Sequence, residues 1–494
     1  MPEPHPVNEP PTPASEPSIL RKSSWIFAAQ IASTFLRFAS NIVLAWLLVP
    51  EAFGIAAIVG AVLTGLALLS DVGIGDSIVR NAKGDQAEFY YSAYVIQVVR
   101  GFVLYAVLFL SAGYIGDFYD ADILESALKI GGISLILYGL GSTRYILLQR
   151  NQQIKTQVIV DIAVQIITTV IVLAICIVEP SVWALIYSYI ISAALYLIAS
   201  FYIMPFPLRT HPFTVVPQYL GEIFGFGKWI FLSTLFHFVI IQSDKLFVGK
   251  LASVEELGLY ALATALATLV LWFASSLTEK IVYPSLSEVA RVDPSAFGER
   301  MVDTLRQVLP ILLIMSLAVV AASPLFFAYL YKADYAPAGE IAQSLAVMVW
   351  FMAIYDTFQK VAIAYGKPQV GALAAFIAAG ARVALSLIGF HYFGLQGFIF
   401  GLALGSIGGL IFLYAWLASN GIRHRHVELI YSIVLLVAFY AKDLLEIVSS
   451  LGAMANNWIH FLVVGLVATL LFVRQYAEQI RRHLPLSGVT QSAG

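Results

Sequence analysis

Three arginines lie deep inside long apolar stretches of the sequence, where a charge needs a partner or a ligand. They are Arg37, Arg100 and Arg382. An ionisable side chain near the centre of a bilayer costs about 2.5–3.5 kcal/mol on insertion scales, so we expect each to face a cavity or another charge. A guanidinium also matches the bidentate geometry of phosphate. The arginines therefore predict a cationic cavity for an anionic ligand.

Two further polar residues extend this predicted binding site. Asn41 lies one helical turn from Arg37 and shares its face with Ser33, and Lys245 stands inside another apolar run. An amphipathic lipid with a phosphate or diphosphate head suits such a site, because its head would enter the cavity while its tail stays among the helices and lipids. The predicted substrate-binding residues are Arg37, Asn41, Arg100, Lys245 and Arg382.

Three other residues could change protonation during a transport cycle. Asp244 cannot pair with the adjacent Lys245, because neighbours on a helix point about 100° apart. His237 precedes Asp244 by seven residues, and Asp161 stands four residues before Gln165 near the start of its own stretch. We predict Asp244, His237 and Asp161 as candidates for ion coupling.

Local charge pairing is an alternative for some of these groups. Asp161 is close in sequence to Lys155, with which it could simply pair. Asp356 and Lys360 have the spacing of an ion pair on one helix face, and we predict that they form one. Neither pair would then serve transport.

Catalytic and metal-binding motifs are absent from the sequence. There is no His-Glu-x-x-His and no Gly-x-Ser-x-Gly, and the Gly-Lys pairs lack the rest of a phosphate-binding loop. Cys176 is the single cysteine, which excludes an intramolecular disulfide and a cysteine-based metal site. We therefore predict no enzyme activity, no cofactor and no metal.

A strongly apolar chain must position these residues. Its 494 residues are 60% hydrophobic and 12% charged, with a mean hydropathy of +0.84, which indicates a polytopic membrane protein. Runs of about 20 apolar residues can each cross a bilayer as a helix. We count fourteen, at 24–49, 53–72, 89–113, 124–148, 157–178, 182–204, 223–249, 257–283, 305–330, 339–365, 369–391, 395–419, 428–449 and 457–473.

An internal repeat organises these stretches. Residues 24–57 lie over residues 228–261 with a shift of 204, so that Trp25 matches Trp229 and Gly54 matches Gly258. The predicted fold class is all-α, with two six-helix bundles at 23–204 and 205–425 in parallel repeat and two extra helices at 426–476. Residues 1–22, rich in Pro and Glu, and residues 477–494 are predicted tails, the first of them disordered.

The distribution of basic residues predicts the orientation in the membrane. Cytoplasmic links carry an excess of Lys and Arg, and one set of alternate links here holds nearly all of them, including Arg80, Arg150, Arg209, Arg300 and Arg423. This pattern places both termini in the cytoplasm.

Four segments resemble the Wzx-type lipid-linked oligosaccharide flippases, the polysaccharide branch of the multidrug/oligosaccharidyl-lipid/polysaccharide exporter superfamily. The first three, in the family's order, are LLVPEAFGIAAI at 47–58, LSDVGIGDSIVRN at 69–81 and LLQRNQQIKTQVIVDI at 147–162. The fourth, QSDKLFVGKLASVEELGLYALA at 242–263, is similar to the family's link between its seventh and eighth helices. The resemblance covers about residues 20–420.

The resemblance implies a flippase of the bacterial inner membrane. Such proteins move an undecaprenyl-diphosphate-linked repeat unit outward for O-antigen, capsule or exopolysaccharide, by ion-coupled alternating access between two bundles arranged as a V. It also implies membrane lipids, a polysaccharide polymerase and the chain-length machinery as partners, and no nucleic acid.

Two other classes of protein stay open. A cation-coupled drug antiporter of the same superfamily would need a cavity dominated by carboxylates, whereas arginine is the commoner deep charge here. An integral-membrane glycosyltransferase, polymerase or ligase usually needs a long outer loop, and the links in this chain are short.

Overall fold

The computed structural model describes residues 17–70, 73–151, 153–206, 215–422, 426–448 and 453–483, and every regular element in those ranges is helical. The predicted all-α class is confirmed. The helices are α1 Pro17–Leu47, α2 Pro50–Leu69, α3 Ile74–Arg80, α4 Ala87–Phe118, α5 Ile123–Gly131, α6 Ile133–Gly139, α7 Leu147–Arg150, α8 Ile154–Val178, α9 Val182–Ile203, α10 Pro217–Leu251, α11 Val254–Leu277, α12 Tyr283–Val292, α13 Phe297–Leu330, α14 Ala338–Ala364, α15 Pro368–Ser419, α16 Val427–Val448 and α17 Ala453–His483.

Eight continuous helical stretches in the described ranges are long and apolar enough to cross a membrane. A ninth would be the pair Ile123–Gly139 and Thr143–Arg150, which bends by 69°. Shorter apolar segments lie at Ala32–Leu47, Val427–Ala441 and Asn456–Leu471. The protein is therefore a multi-pass membrane protein, while the count of fourteen spans stays a prediction.

The bounds of the two predicted tails stay a prediction. Among the described residues, helix α1 covers Pro17–Leu47. Helix α17 continues to His483. Residues 1–16 and 484–494 lie outside the described residues. The disorder of the first tail therefore stays a prediction.

The chain divides into two compact units. The first comprises residues 1–47 and 63–235, and the second comprises 48–62 and 236–494. The boundaries fall inside α2 and α10, whereas we predicted a division at residue 205. The division into two six-helix bundles by sequence stays a prediction, but α16 and α17 pack on α13 and so belong to the second unit.

In the first unit, α4 supports the bend between α6 and α7. Gln97 Nε2 donates to the carbonyls of Gly139 at 3.1 Å and Gly141 at 2.8 Å. Gly101 and Gly139 let the two backbones approach, since a Cβ on Gly139 would lie 3.0 Å from the Cα of Gly101. A helix end inside a membrane protein needs such internal donors, because no bulk water reaches its free carbonyls.

Arg150 joins two of the segments that carry the family resemblance. Its Nη1 donates to the carbonyls of Ile78 at 2.8 Å, Val79 at 3.0 Å and Asn81 at 2.6 Å, at the end of α3. A guanidinium is suited to this position because free carbonyls and the helix dipole both attract a cation. The segments at 69–81 and 147–162 therefore form one structural feature.

The two repeat-equivalent glycines meet within the second unit. A Cβ on Gly54 would lie 1.9 Å from the carbonyl oxygen of Val254, and a Cβ on Gly258 would lie 1.9 Å from that of Pro50. Pro50 and Val254 are themselves equivalent under the shift of 204. The start of α2 and the start of α11 thus pack on each other reciprocally, as repeats related by a twofold axis would.

Helix α15 folds back on itself at Gly394. This glycine has φ 60° and ψ −147°, a conformation that residues with a Cβ rarely adopt. Beyond it, Gly397, Gly401, Gly405 and Gly409 recur every four residues and form one face. That face packs on the preceding half, where a Cβ on Gly405 would lie 2.4 Å from the Cα of Arg382.

The close packing of Gly405 predicts a stability difference within one helix. Gly405→Ala should destabilise the protein by about 1–3 kcal/mol, because the added methyl overpacks the hairpin. Gly380→Ala is the matched control, since nothing lies within 4 Å of its added methyl and alanine favours the helix. Thermal unfolding in detergent should show a lower Tm for the first variant alone. Equal melting temperatures would contradict the described packing of the hairpin.

Candidate functional site

Arg382 is the most deeply buried of the predicted site residues. It is 8% exposed in the first half of the α15 hairpin, and its Nη1 donates to the Sδ of Met352 on α14 at 3.4 Å. No hydrogen bond from its other guanidinium nitrogens to the described part of the chain is present. A buried arginine without a carboxylate at ion-pair distance is costly, so its donors are available for a ligand.

Asp244 lies near the same place in the second unit. Its Oδ2 accepts a hydrogen bond of 2.7 Å from the hydroxyl of Tyr260, which is fully buried on α11. Its Oδ1 is buried and has no hydrogen-bond partner among the described residues. Both Asp244 and Arg382 act electrostatically on the Tyr260 hydroxyl. Tyr260 therefore brings two predicted residues from distant parts of the sequence into one buried cluster.

Sequence reasoning missed Tyr260. The repeat offers one signal, because Tyr260 stands where the first copy has Ala56 in an otherwise similar apolar step. A polar side chain at that point of the second copy alone indicates a function or a hydrogen bond that the first copy lacks.

The predicted ion pair between Asp356 and Lys360 is wrong. Lys360 Nζ instead lies 3.5 Å from Glu279 Oε1, across the interface with the π-helical turn Thr278–Val282. A buried hydrogen bond of 2.9 Å between the hydroxyls of Thr278 and Thr357 holds that turn against α14. Asp356 is subject more to the charge of Arg382 than to that of Lys360. Tertiary packing thus overrides the helical spacing.

For the two other predicted residues of α10, Lys245 and His237, the structure does not indicate a role. Lys245 is half-buried, and its Nζ donates to Gln242 Oε1 at 2.9 Å on the same helix. His237 lies in the helix, but its side chain is outside the described residues. Their roles in binding and coupling stay predictions.

In the first unit, the guanidinium of Arg100 is hydrogen-bonded to the end of α2. Its Nε donates to the hydroxyl of Ser70 at 2.9 Å, and its Nη2 donates to the carbonyl of Ala67. Both acceptors lie at the end of α2, where carbonyls lack helical partners. Arg100 therefore caps α2 in this structure, and its predicted contact with substrate stays a prediction.

Arg37, Asn41 and Asp161 have more open surroundings in the same unit. Arg37 and Asp161 are exposed, and Asn41 is half-buried. The face of α1 that carries Arg37 and Asn41 is joined to α8, the helix of Asp161, by Ser33, whose hydroxyl lies 2.5 Å from Gln165 Oε1 and whose carbonyl accepts from Gln165 Nε2 at 2.9 Å.

The structure thus groups the predicted residues by unit. Asp244 and Arg382 share a cluster in the second unit, whereas Arg37, Asn41, Arg100 and Asp161 belong to the first. A cavity that combines arginines of both repeats stays a prediction. Within the described ranges, no group of three or more His, Cys, Asp or Glu side chains is arranged to hold a metal ion.

The surroundings of Arg100 and Arg37 predict different effects of the same substitution. Arg100→Gln should lower the free energy of unfolding by about 1.5–3 kcal/mol, because charged hydrogen bonds to the end of α2 are lost. Arg37→Gln should change it by no more than about 0.5 kcal/mol, since that side chain is exposed. Melting temperatures in detergent measure both. Unchanged stability of Arg100→Gln would argue that the cap contributes little and that the residue is free for a ligand.

The long apolar helices define the class of protein, a multi-pass membrane protein, and the fold can be compared with solved structures. The fold resembles the lipid II flippase MurJ in an inward closed conformation, with a TM-score of 0.69 at 16% identity over 92% of this chain and 100% of that one. It also resembles an inward-facing multidrug resistance MATE family transporter of the MOP superfamily, with a TM-score of 0.58 at 14% identity over 79% of this chain and 95% of the other. The predicted fold is confirmed, and both of these neighbours are named as a flippase or a transporter.

The chain belongs to the polysaccharide biosynthesis protein family, whose profile matches residues 43–340. It is 21% identical over 310 residues to the succinoglycan biosynthesis transport protein ExoT of Rhizobium meliloti (strain 1021), covering 63% of this chain and 60% of that protein. It is 19% identical over 307 residues to the teichuronic acid biosynthesis protein TuaB of Bacillus subtilis (strain 168), covering 61% and 62%. The matches therefore span about 60% of the length of these relatives.

Proposed function

We propose that the protein is a flippase that moves an undecaprenyl-diphosphate-linked oligosaccharide across the bacterial inner membrane, with both termini in the cytoplasm. The observation that carries the proposal is Arg382, a buried guanidinium with unused donors in a member of a polysaccharide biosynthesis family. Arginine binds a diphosphate in bidentate fashion. The exported unit would pass to a polysaccharide polymerase and chain-length proteins, which are the proposed partners.

Ion coupling is proposed to act through Asp244. With its Oδ2 bound to Tyr260 and its Oδ1 buried without a described partner, the carboxylate has room for one proton or one cation. Binding of either would neutralise a charge that acts on the same hydroxyl as Arg382. The affinity of Arg382 for an anionic headgroup would then change with the occupancy of Asp244, which is the requirement for coupled transport.

Alternating access is proposed to involve the reciprocal contact of Gly54 and Gly258. A surface formed by backbone and glycine can close tightly, and it can separate without uncovering charged groups. The symmetry of this contact under the sequence repeat also suits a rocking motion of two related halves.

Leaflet exchange of a lipid-linked oligosaccharide in proteoliposomes tests the function. Wild-type protein should accelerate exchange, and Asp244→Asn should reduce the rate at least tenfold while insertion stays intact. Asp303→Asn is the matched control, because Asp303 is an exposed residue whose nearest cation, Arg306, lies 3.9 Å away. Normal exchange by Asp244→Asn would make Asp244 structural. Drug uptake or new glycosidic bonds without lipid exchange would favour an antiporter or a glycosyltransferase.

Alanine at Gly54 or Gly258 tests the proposed closing contact. Each added methyl would lie 1.9 Å from a carbonyl oxygen, so the contact must open and the exchange rate should fall several-fold. Gly221→Ala on α10 is the control, since nothing lies within 4 Å of its added methyl. Exchange at the wild-type rate by correctly inserted Gly54→Ala and Gly258→Ala would exclude the contact from the cycle.

A further inference from the structure

We propose that the first unit contains a saccharide-binding site between α6, α8 and α9, in which tyrosine rings contact a sugar ring and a polar face of α8 binds its hydroxyls. The proposal deepens the proposed function, because it names the part of the substrate that this unit recognises. It concerns residues that the buried cluster of the second unit does not include.

Three tyrosines form the aromatic part of the site. The ring of Tyr196 on α9 lies 5.6 Å from that of Tyr138 on α6 and 5.4 Å from that of Tyr145, which it meets edge to face at 78°. The hydroxyl of Tyr138 lies 3.0 Å from that of Ser192. A pyranose ring presents C–H groups on its faces and hydroxyls at its rim, so rings that end in hydroxyls match both parts.

The side of α8 that packs on Tyr145 carries Val160 and Val164, and polar groups lie beside them at helical spacing. Asp161, Gln165 and Thr168 follow one another at intervals of four and three residues and so share a face. Gln165 is held by Ser33 of α1, which fixes the rotation of this face. The carboxylate of Asp161 acts electrostatically on the hydroxyls of both Tyr145 and Tyr196. The polar face and the tyrosines are therefore parts of one site.

Two hydroxyls in this region lack a partner. The side chain of Tyr145 is 4% exposed, and its hydroxyl makes no hydrogen bond to the described part of the chain. The same holds for the Oγ1 of Thr168, which is also buried. Buried hydroxyls in proteins are nearly always hydrogen-bonded, so one at Tyr145 and another on α8, the helix that packs on Tyr145, indicate a polar ligand that completes the site.

The charge of the site selects the sugar rather than the rest of the lipid. Asp161 would repel a diphosphate, whereas a carboxylate accepts readily from sugar hydroxyls. The nearest arginine in sequence, Arg144, donates to the carbonyl of Pro205 and lies over the ring of Tyr90. A polyprenyl tail would leave every polar group here without a partner. A neutral hexose or N-acetylhexosamine is the ligand that satisfies them.

Tyr145→Phe is the decisive variant, because it removes a hydroxyl that has no partner among the described residues. The full-length protein in detergent is titrated with cellotriose, galactotriose and triacetylchitotriose, and binding is followed by saturation-transfer NMR. At least one oligosaccharide should bind wild-type protein, and Tyr145→Phe should bind it about tenfold more weakly, with an unchanged or higher Tm. Tyr105→Phe on α4 is the matched control. No binding of any of the three to wild-type protein, or equal affinity for Tyr145→Phe, would overturn the proposal.

Proteoliposomes separate this inference from the proposed function. Two probes are compared, a polyprenyl diphosphate that carries the bound trisaccharide and one without sugar. Tyr145→Phe should slow exchange of the first probe and leave the second unchanged; equal slowing of both would contradict sugar recognition. If wild-type protein exchanges neither probe but still binds the trisaccharide, the flippase proposal fails while the saccharide site stands.

Discussion

Several helix ends of this protein lie inside an apolar bundle. Their free carbonyls need hydrogen-bond donors from other parts of the chain, and the fold depends on these bonds. Water cannot reach these ends, and each unpaired carbonyl there would oppose folding. The first unit meets this requirement with a few long side chains. Gln97 bonds the bend after α6, and Arg100 bonds the end of α2. These contacts allow broken and short helices, and the bends in turn bring Tyr138 and Tyr145 beside α9.

The same constraint explains why deep charges in this protein have two kinds of role. Arg100 is bound to the hydroxyl of Ser70 and the carbonyl of Ala67 and acts as a structural cation. Arg382 is as deeply placed but has only a sulfur atom as its described hydrogen-bond partner. A charge near the bilayer centre therefore does not by itself identify a ligand site. The unused hydrogen-bonding capacity of the side chain is the better criterion.

The two copies of the repeat share backbone packing but differ in polar content. Gly54 and Gly258 make equivalent contacts, because backbone approach depends only on the missing side chain. By contrast, the position equivalent to Tyr260 in the first copy holds the apolar Ala56, and the position equivalent to Asp244 holds the uncharged Ser40. The two copies thus share this backbone contact, while the units differ in their polar groups: Asp244 bonded to Tyr260 in the second, and a group of tyrosines in the first.

Much of the fold followed from the sequence because lengths of apolar stretches and the repeat are local properties. The helical class, the membrane location and the polysaccharide biosynthesis family were all predictable, and the glycines that carry the resemblance are the ones that meet. Side-chain partners were less predictable, as Lys360 shows. Helical spacing placed Asp356 within its reach, but the π-helical turn of the neighbouring helix brought Glu279 closer.

By itself, the sequence determined which residues are charged, which stretches are apolar enough to cross a membrane and which segments resemble each other, because these depend on composition and order alone. Only the tertiary structure decided which charges are already satisfied. Arg100 donates to a helix-end carbonyl, and Asp244 accepts a hydrogen bond from Tyr260. Arg382 has no carboxylate at ion-pair distance in the described chain and donates to Met352. The physical reason is that hydrogen bonds between helices depend on the rotation and depth at which helices pack. Residues far apart in sequence set both quantities together.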